Sequence, residues 1–280
     1  MLLDKEKIHQ QISNALSSHS VLEVDKVLAS IEVLSSVDST NSYLQNQQII
    51  TSMGKLCVAE EQSLGRGRHG NEWHAQANKN IILSLSWGFE SRSATISALG
   101  LAVGLIVVER LNQDYSLGVG IKWPNDLFLN SQKLAGILVD ATLSGKDNFN
   151  VVIGLGLNAQ QENLAPTNSS YDWTDLYSHG VIVNRNELIG NLTADLLTML
   201  YDFAERGFEP LVERWNTLSL YNRKQIKLTP QLDNSSSSEV IQGQMLGVNK
   251  SGELLLLRPD GEQQVISTSN YSLSLCASDE

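Results

Sequence analysis

Apolar residues recur along the chain at the spacings of helices and strands. Near the N-terminus, three of them lie four positions apart on one face of an amphipathic helix predicted over residues 4–16: Ile8, Ile12 and Leu16. A second helical stretch is predicted from Glu23 to Ala29. The pattern therefore predicts a short helical extension over residues 1–30.

The long middle region, from Ile31 to about Gly207, mixes the two periodicities. Helices are predicted at Ser93–Asn112 and Asn186–Phe203, and the second carries an apolar stripe at helical spacing: Leu188, Leu192, Leu196, Leu200 and Phe203. Apolar or alternating runs predict strands at Leu56–Ala59, Ile81–Trp87, Gly136–Ala141 and Val151–Leu157. This mixture is typical of an α/β or an α+β fold.

After Tyr221 the pattern changes to short strands separated by turn residues. Strands are predicted at Gln225–Leu228, Val240–Val248, Glu253–Leu257, Glu262–Ile266 and Tyr271–Leu275. The polar run Asp233–Ser238 is predicted to form a solvated hairpin tip. A small C-terminal β-barrel is the expected result.

Composition limits what the chain is expected to bind. Its 280 residues are 41% hydrophobic, so it can bury a core and is expected to form one large and one smaller domain. A formal net charge of -11 argues against a surface that binds nucleic acid as a whole. Binding of an anionic ligand would then depend on a local cluster of basic residues.

Cysteine and histidine usage predicts neither a disulfide framework nor a metal centre. Cys57 and Cys276 lie far apart without a partner pattern, and the five histidines include no metal-binding pair, so no transition metal is expected. The first residues are charged too early for a signal peptide. The most apolar stretch, Leu99–Val108, is shorter than the roughly 20 residues that span a bilayer. We therefore expect a soluble, cytoplasmic protein without a membrane partner.

The segment Gly65–Gly70 is a local basic cluster, because it joins three glycines to two arginines and a histidine. Glycine lets the backbone approach a ligand closely, and guanidinium groups match carboxylate or phosphate oxygens. The segment reads G-x-G-x-x-G, but neither the helix of a dinucleotide-binding fold nor the Lys and Ser or Thr of a Walker loop follows it. Taken alone, it fits an anion-binding loop and an unliganded basic hairpin equally well.

Polar residues before and after strand-like segments are further candidates. Asp38-Ser39-Thr40-Asn41 is expected to cap a helix, and its hydroxyl and amide groups, with that of Gln62, also suit a cyclic urea. Lys122–Asp126 fits a turn in which Trp123 joins the core. Lys133 begins an apolar strand, and Asn158 follows the end of another, where an amide can face a ligand.

The order and spacing of five segments resemble those of the biotin protein ligases, also called biotin-[acetyl-CoA-carboxylase] ligases: Asp38–Asn41, Gln62 with Gly65–Gly70, Lys122–Asp126, Lys133–Leu138 and Gly156–Asn158. The resemblance extends from Val33 to about Leu275. It implies an α+β fold in which a catalytic domain over residues 31–222 has a central mixed sheet with flanking helices. A small SH3-like β-barrel over residues 223–280 is implied to follow.

The resemblance also implies a role for each matching residue. Biotin is expected to contact Ser39, Thr40, Asn41, Gln62, Arg66, Gly67, Arg68 and Lys133. ATP and the adenylate are expected to contact Arg68, Trp73, Lys122, Asn125, Asp126, Lys133 and Asn158. Arg66, Arg68, Lys122 and Lys133 are the implied catalytic cations, and Asp126 is the implied Mg²⁺ ligand.

The implied reaction activates biotin with Mg-ATP to an adenylate and transfers biotin to a lysine of a biotin carboxyl carrier domain. A lipoate-type acyl ligase and a nonenzymatic biotin or nucleotide sensor are the alternatives. His69, Asn71 and Glu72 stand where more basic residues often continue the loop, which lowers its positive charge.

The expected N-terminal organisation is that of a monofunctional ligase. Only 38 residues precede Ser39, whereas a winged helix-turn-helix needs about 60, so no DNA-binding domain and no nucleic-acid partner are expected. Formation of a homodimer is left open by the sequence.

Overall fold

The structure is a computed structural model that describes residues 2–19, 22–90, 96–144, 148–160, 172–230, 239–267 and 271–276. Its helices are α1 Lys5–His19, α2 Val24–Val27, α3 Thr40–Gln45, α4 Leu99–Tyr115, α5 Arg185–Arg206 and α6 Val212–Leu218. The strands of the first sheet are β1 Leu28–Leu34, β2 Gly54–Ala59, β3 Ile81–Phe89, β4 Gly120–Lys122, β5 Asp126–Leu129, β6 Gln132–Ser144 and β7 Asn148–Leu157. Those of the second are β8 Gln225–Pro230, β9 Ile241–Val248, β10 Leu254–Leu257, β11 Gln263–Ile266 and β12 Tyr271–Leu275.

The first sheet is mixed and has seven strands in the order β1-β2-β3-β7-β6-β5-β4. Only β1 and β2 run parallel, whereas the other neighbours are antiparallel. Helices flank it, which confirms the predicted α+β class with a central mixed sheet. A two-residue turn joins β5 to β6, and its residues Asn130 and Ser131 both have positive φ, as the twist of a tight hairpin requires.

The two faces of this sheet are covered by different elements. On one face, Leu85 of β3 and Gly54 of β2 lie against Leu197 of α5. On the other, the neighbouring Ser84 contacts the first turn of α3. Because successive side chains of a strand point to opposite faces, every residue of β3 is buried. The α3 face is the one that carries the site described below.

The helical periodicity predicted two helices well. The apolar stripe of α5, from Leu188 to Phe203, is buried, and so are Ile8, Ile12 and Leu16 of α1. Helix α1 packs directly on α5, so the N-terminal extension is part of the core.

Two helix boundaries predicted from the sequence were wrong. The helix expected from Glu23 to Ala29 ends at Val27, because Leu28 and the residues after it pair with β2 as an edge strand. The helix expected from Ser93 begins as α4 at Leu99, after a short turn at Ile96–Ala98, and runs on to Tyr115. Residues 91–95 lie outside the described ranges.

Within the described residues, Ile96–Tyr115 is long and apolar enough to cross a membrane by length and composition. Its stretch is 56% buried inside the protein, and α4 packs against α5 and the sheet. A core helix passes the same test, and the burial of Leu105, Val107 and Val108 fits that interpretation.

The second sheet is antiparallel and has five strands in the order β11-β10-β9-β8-β12, which confirms the five strands predicted from the sequence. It lies against the first: Trp123 donates to the carbonyl of Gly252, and Val248 donates to Asn216 of α6. The described strands show no pairing between β11 and β12, so closure into an SH3-like barrel stays a prediction, as do the domain boundaries. The hairpin tip predicted at Asp233–Ser238 lies outside the described residues.

Candidate active site

A cavity of about 810 Å³ opens on the α3 face of the first sheet. Most of its wall comes from the start of α3, the segment from Gln62 to Ala75, the turn between β4 and β5, and the inner parts of β6 and β7. Residues of β3 and β12, together with Trp173, complete it. The structure brings twelve of the thirteen sequence-predicted site residues together around it: Ser39, Thr40, Asn41, Gln62, Arg66, Gly67, Arg68, Trp73, Lys122, Asn125, Asp126 and Lys133.

The thirteenth, Asn158, is not among the described residues that line the cavity. Its side chain is fully buried, and its amide donates to the carbonyl of Thr174 at 3.1 Å. Its own backbone N–H donates to Leu134. Asn158 therefore holds the segment that follows residue 171, and its expected contact with ATP or the adenylate stays a prediction.

The segment Gly65–Gly70 folds as a narrow loop closed across its base. Gly67 donates to Asn71 at 2.7 Å, and Trp73 donates to Gly65 at 2.9 Å. A Cβ at Gly65 would overlap the carbonyl of Trp73, so this glycine permits close packing, whereas Gly70 adopts the positive φ. The non-glycine His69 also has a positive φ, of 54°.

A chain of hydrogen bonds connects the start of α3 to the neighbouring strands. Gln62 Oε1 accepts from the backbone N–H of Thr40 at 2.8 Å and lies 3.0 Å from its hydroxyl. Ser84 Oγ lies 2.7 Å from Thr40 Oγ1 and 2.6 Å from Asn41 Oδ1. Ser39 also caps α3 by accepting from Ser42 at 3.5 Å. The expected helix cap is confirmed at Ser39, whereas the contact of this segment with a cyclic urea stays a prediction.

Four side-chain cations line the cavity, against two carboxylates: Arg66, Arg68, Lys122 and Lys133, with Glu72 and Asp126. Lys133 Nζ lies 2.7 Å from Asp126 Oδ1. Lys122 is buried beneath the ring of Phe128, with its Nζ 4.9 Å from the ring centroid. The cavity therefore concentrates positive charge within an acidic protein, which suits an anionic ligand.

Arg68 is held by the β4–β5 turn. Its Nη1 donates to Asn125 Oδ1 at 2.7 Å, and Asn125 Nδ2 donates to the carbonyl of Ile137 at 2.7 Å, which fixes the direction of the Asn125 amide. Burial lowers the pKa of the Arg68 guanidinium from its ordinary value, and the negative charge of Asp126 opposes that shift. A guanidinium in such a half-buried place gains strongly from an incoming anion.

Glycines form the floor of the cavity. Gly136 of β6 and Gly156 of β7 are paired across the strands, and the indole of Trp73 lies where their side chains would be. Trp73 in turn stacks on Trp173, with ring centroids 5.6 Å apart and an angle of 17° between the planes. A planar ligand group fits beside this pair of rings. The alternation Gly154-Leu155-Gly156-Leu157 is the sequence signal that marks such a close approach.

Sequence reasoning missed several residues of the site. Asp140 and Ser84 belong to its polar network, Trp173 supplies the second ring, and Tyr271–Leu273 of β12 line the cavity from the second sheet. No local pattern marks them, since each is an ordinary strand or loop residue until the fold brings it to the cavity.

Asp126, the Mg²⁺ ligand implied from the sequence, lines the cavity. Among the described residues no group of three or more His, Cys, Asp or Glu side chains is placed to hold an ion. Mg²⁺ usually retains waters and binds through one or two carboxylates plus substrate phosphates, so a single carboxylate fits Mg²⁺ that arrives with a nucleotide.

Comparisons with known proteins identify relatives of this chain. Residues 33–158 match the model of the Biotin/lipoate A/B protein ligase family. The chain is 34% identical over 227 residues to the bifunctional ligase/repressor of Escherichia coli (strain K12), and the matched region covers 81% of this chain and 69% of that protein. It is 30% identical over 208 residues to the biotin–[acetyl-CoA-carboxylase] ligase of Mycobacterium tuberculosis, covering 70% and 73%. The solved biotin protein ligase of Aquifex aeolicus in complex with biotin and ATP has a TM-score of 0.72 at 26% identity, covering 90% of this chain and 100% of that one.

Proposed function

The chain belongs to the biotin/lipoate A/B protein ligase family, and on that premise we propose that it is an ATP-dependent biotin–protein ligase. It activates biotin to biotinyl-adenylate and transfers the biotinyl group to a lysine of a biotin carboxyl carrier domain. One observation carries the proposal: a single cavity joins four cations to the polar network of Thr40, Asn41 and Gln62. Such a cavity suits a ligand with an uncharged polar ring at one end and a carboxylate at the other.

In the first step a carboxylate oxygen of biotin attacks the α-phosphorus of ATP. The bond from that phosphorus to the bridging oxygen breaks, and pyrophosphate leaves. Because an anion approaches a polyanion, cations aimed at the converging oxygens supply much of the rate enhancement. We assign this role to Arg66 and Arg68 from the loop and to Lys122 and Lys133 from the sheet.

In the second step the amine of the carrier lysine attacks the carbonyl carbon of the adenylate, and AMP leaves. The amine loses its proton to solvent. The loop Gly65–Gly70 closes over the adenylate, which keeps water away from a mixed anhydride that hydrolyses readily. Trp73 and Trp173 hold the adenine side, and we propose that Mg²⁺ enters with ATP near Asp126.

The described N-terminal residues pack into the core of the protein. The described N-terminal helix α1 buries Ile8, Ile12 and Leu16 against α5, and α2 leads directly into β1. These residues act as part of the ligase core.

Mass spectrometry of a carrier domain tests the proposal. The protein is incubated with ATP, Mg²⁺, biotin and a biotin-free carrier domain, and the carrier mass should rise by one biotinyl group only when ATP is present. Absence of that increment sinks the proposal. A parallel reaction with lipoate addresses the other substrate class of the family model, and a larger increment with lipoate would reassign the enzyme. Biotin binding without pyrophosphate release would indicate a sensor.

A further inference from the structure

One carboxylate, outside the set of residues identified from the sequence, joins the loop to the polar network beneath it. Asp140 lies in β6, and its side chain is 20% exposed. The same oxygen, Oδ2, lies 3.0 Å from Asn41 Nδ2 and 3.3 Å from Arg66 Nη1. Asp140 also lines a second cavity of about 460 Å³ on the loop.

The first contact fixes the direction of a neutral amide. An ionised carboxylate can only accept hydrogen bonds, so Asn41 must turn its NH₂ group to Asp140 and its oxygen to Ser84. The single hydroxyl hydrogen of Ser84 is then committed to Asn41. Thr40 has one hydroxyl hydrogen for two neighbours, Ser84 Oγ at 2.7 Å and Gln62 Oε1 at 3.0 Å, so Asp140 sets the donor and acceptor roles of Asn41 and Ser84.

The second contact holds the loop. Arg66 is 41% exposed, and besides Asp140 its guanidinium reaches Gln45 at 3.3 Å and Ser42 at 3.5 Å. These two partners are neutral, so Asp140 supplies the charge that keeps Arg66 over α3. A partly exposed ion pair is weak enough to exchange, so a ligand carboxylate or phosphate can take over the same guanidinium.

We propose that Asp140 is a positioning residue: it holds Arg66, and with it the loop, in place before ligand binds, and it orients the Asn41–Ser84–Thr40 network for an uncharged polar ring. The role of the polar network rests on the proposed function, because that function identifies the ligand. The contact that holds Arg66 and the loop does not depend on it.

Limited trypsin digestion of the ligand-free protein tests the hold on the loop. Asp140→Asn keeps the shape but loses the charge, and it no longer dictates which way Asn41 turns. Cleavage after Arg66 and Arg68, followed by mass spectrometry, should be about threefold to tenfold faster, because cleavage tracks the population of the open loop. Asp140→Glu should stay within about twofold of the wild type, since it restores the charge. Asp114→Asn, which breaks the helical pair with Arg110, is the matched control and should not change loop cleavage.

Steady-state kinetics tests the effect on the network. Asp140→Asn should raise the KM for biotin about fivefold to tenfold and leave kcat within about twofold, as expected when uniform binding is lost. A lower kcat with an unchanged KM would show a merely structural role, and wild-type values in both assays would overturn the proposal. If wild-type protein transfers no biotin, the proposed function is wrong. The digestion still tests whether Asp140 holds Arg66. If Asp140→Asn does not fold, Arg66→Gln takes its place, and unchanged cleavage after Arg68 would count against the hold.

Discussion

At the scale of single residues, the site contains ion pairs whose basic member can also bind an anionic ligand. Lys133 sits 2.7 Å from Asp126, and both side chains are less than one fifth exposed. Such a pair keeps the ammonium group of Lys133 aimed at the cavity before a ligand binds. The lysine can then turn toward a phosphate with little reorganisation.

Lys133→Ala should slow the single turnover that forms the adenylate by about 100-fold or more, because a cation that stabilises the converging oxygens is lost. Urea denaturation of Lys133→Ala separates that effect from misfolding. Lys26→Ala, at a lysine that is 71% exposed, serves as control and should react at the wild-type rate. Equal single-turnover rates for Lys133→Ala and the wild type would remove the catalytic role.

The two cysteines should differ sharply in reactivity. Burial, with a smaller contribution from the negative charge of Glu32, raises the pKa of the Cys57 thiol to about 12. At pH 8 only about one thiol in ten thousand is then a thiolate, the form that reacts. Iodoacetamide should therefore modify the half-buried Cys276 in the folded protein and reach Cys57 only after denaturation. Peptide mapping that finds Cys57 alkylated in the native state would contradict this.

The residues predicted from sequence come together in the structure where residue type and local spacing define the chemistry, and their ligand contacts stay predictions. Arg66, Arg68 and Lys133 reach one cavity because each stands next to a turn or a strand end that the pattern also marks. The expected ligand contact of Asn158 stays a prediction, because its buried amide donates to the backbone of Thr174 outside the cavity lining. Asp140 was missed because nothing around it in the sequence shows that Asn41 and Arg66 converge on it.

At the scale of elements, the pairing of β6 with β7 creates the cavity floor. Gly136 and Gly156 lie directly opposite each other, so the sheet presents bare backbone to the Trp73 ring. Periodicity in the sequence predicted both strands, yet it could not place these two glycines side by side, because register depends on the partner strand. Periodicity also assigned Leu28 to a helix, although its pairing with β2 makes it a strand residue.

Gly156→Ala should displace Trp73, because the added Cβ would overlap the indole. We expect the KM for ATP to rise about tenfold or more and the free energy of unfolding to fall by about 1–3 kcal/mol. Gly100→Ala is the matched control: it lies in α4 with only Val139 within reach, at 3.8 Å, and should be neutral or slightly stabilising. Steady-state kinetics and urea denaturation of both variants test this prediction. An unchanged KM for ATP in Gly156→Ala would contradict the role of this glycine in the cavity floor.

At the scale of the whole molecule, a buried ion pair connects the N-terminal segment, the loop and α5. Glu60, two residues before Gln62, accepts from Arg185 Nη1 and from the backbone N–H of Leu3, each at 2.6 Å. Asn186 binds the backbone of the same N-terminal segment. Local patterns predicted the helices that meet here, but not the polar groups that join them, because those partners are more than 50 residues apart.

Glu60→Gln should lower the free energy of unfolding by about 3 kcal/mol, because it removes the negative charge that faces the buried guanidinium of Arg185. Glu23→Gln breaks the exposed pair with Lys26 and should cost less than about 1 kcal/mol. Urea denaturation measures both. Similar losses in the two variants would show that the Glu60–Arg185 pair contributes no more than a surface pair.

Local sequence patterns could not predict the strand order of the first sheet, in which β3 lies beside β7. Strands that follow each other in sequence need not be neighbours in a sheet. What fixed the fold class at that scale was the resemblance to a known family, whose order of motifs matches the order found around the cavity.

The stacked rings at the cavity give the protein an optical reporter of its own. Of the five tryptophans, Trp87, Trp123 and Trp215 are buried, whereas Trp73 and Trp173 stand partly exposed at the cavity wall. A nucleotide that settles against this pair should change the emission of these two indoles, whereas Trp87 and Trp215, which do not line the cavity, should give a nearly constant background. Binding and release could then be timed in a stopped-flow fluorimeter without any attached dye, and Trp173→Phe should reduce the signal.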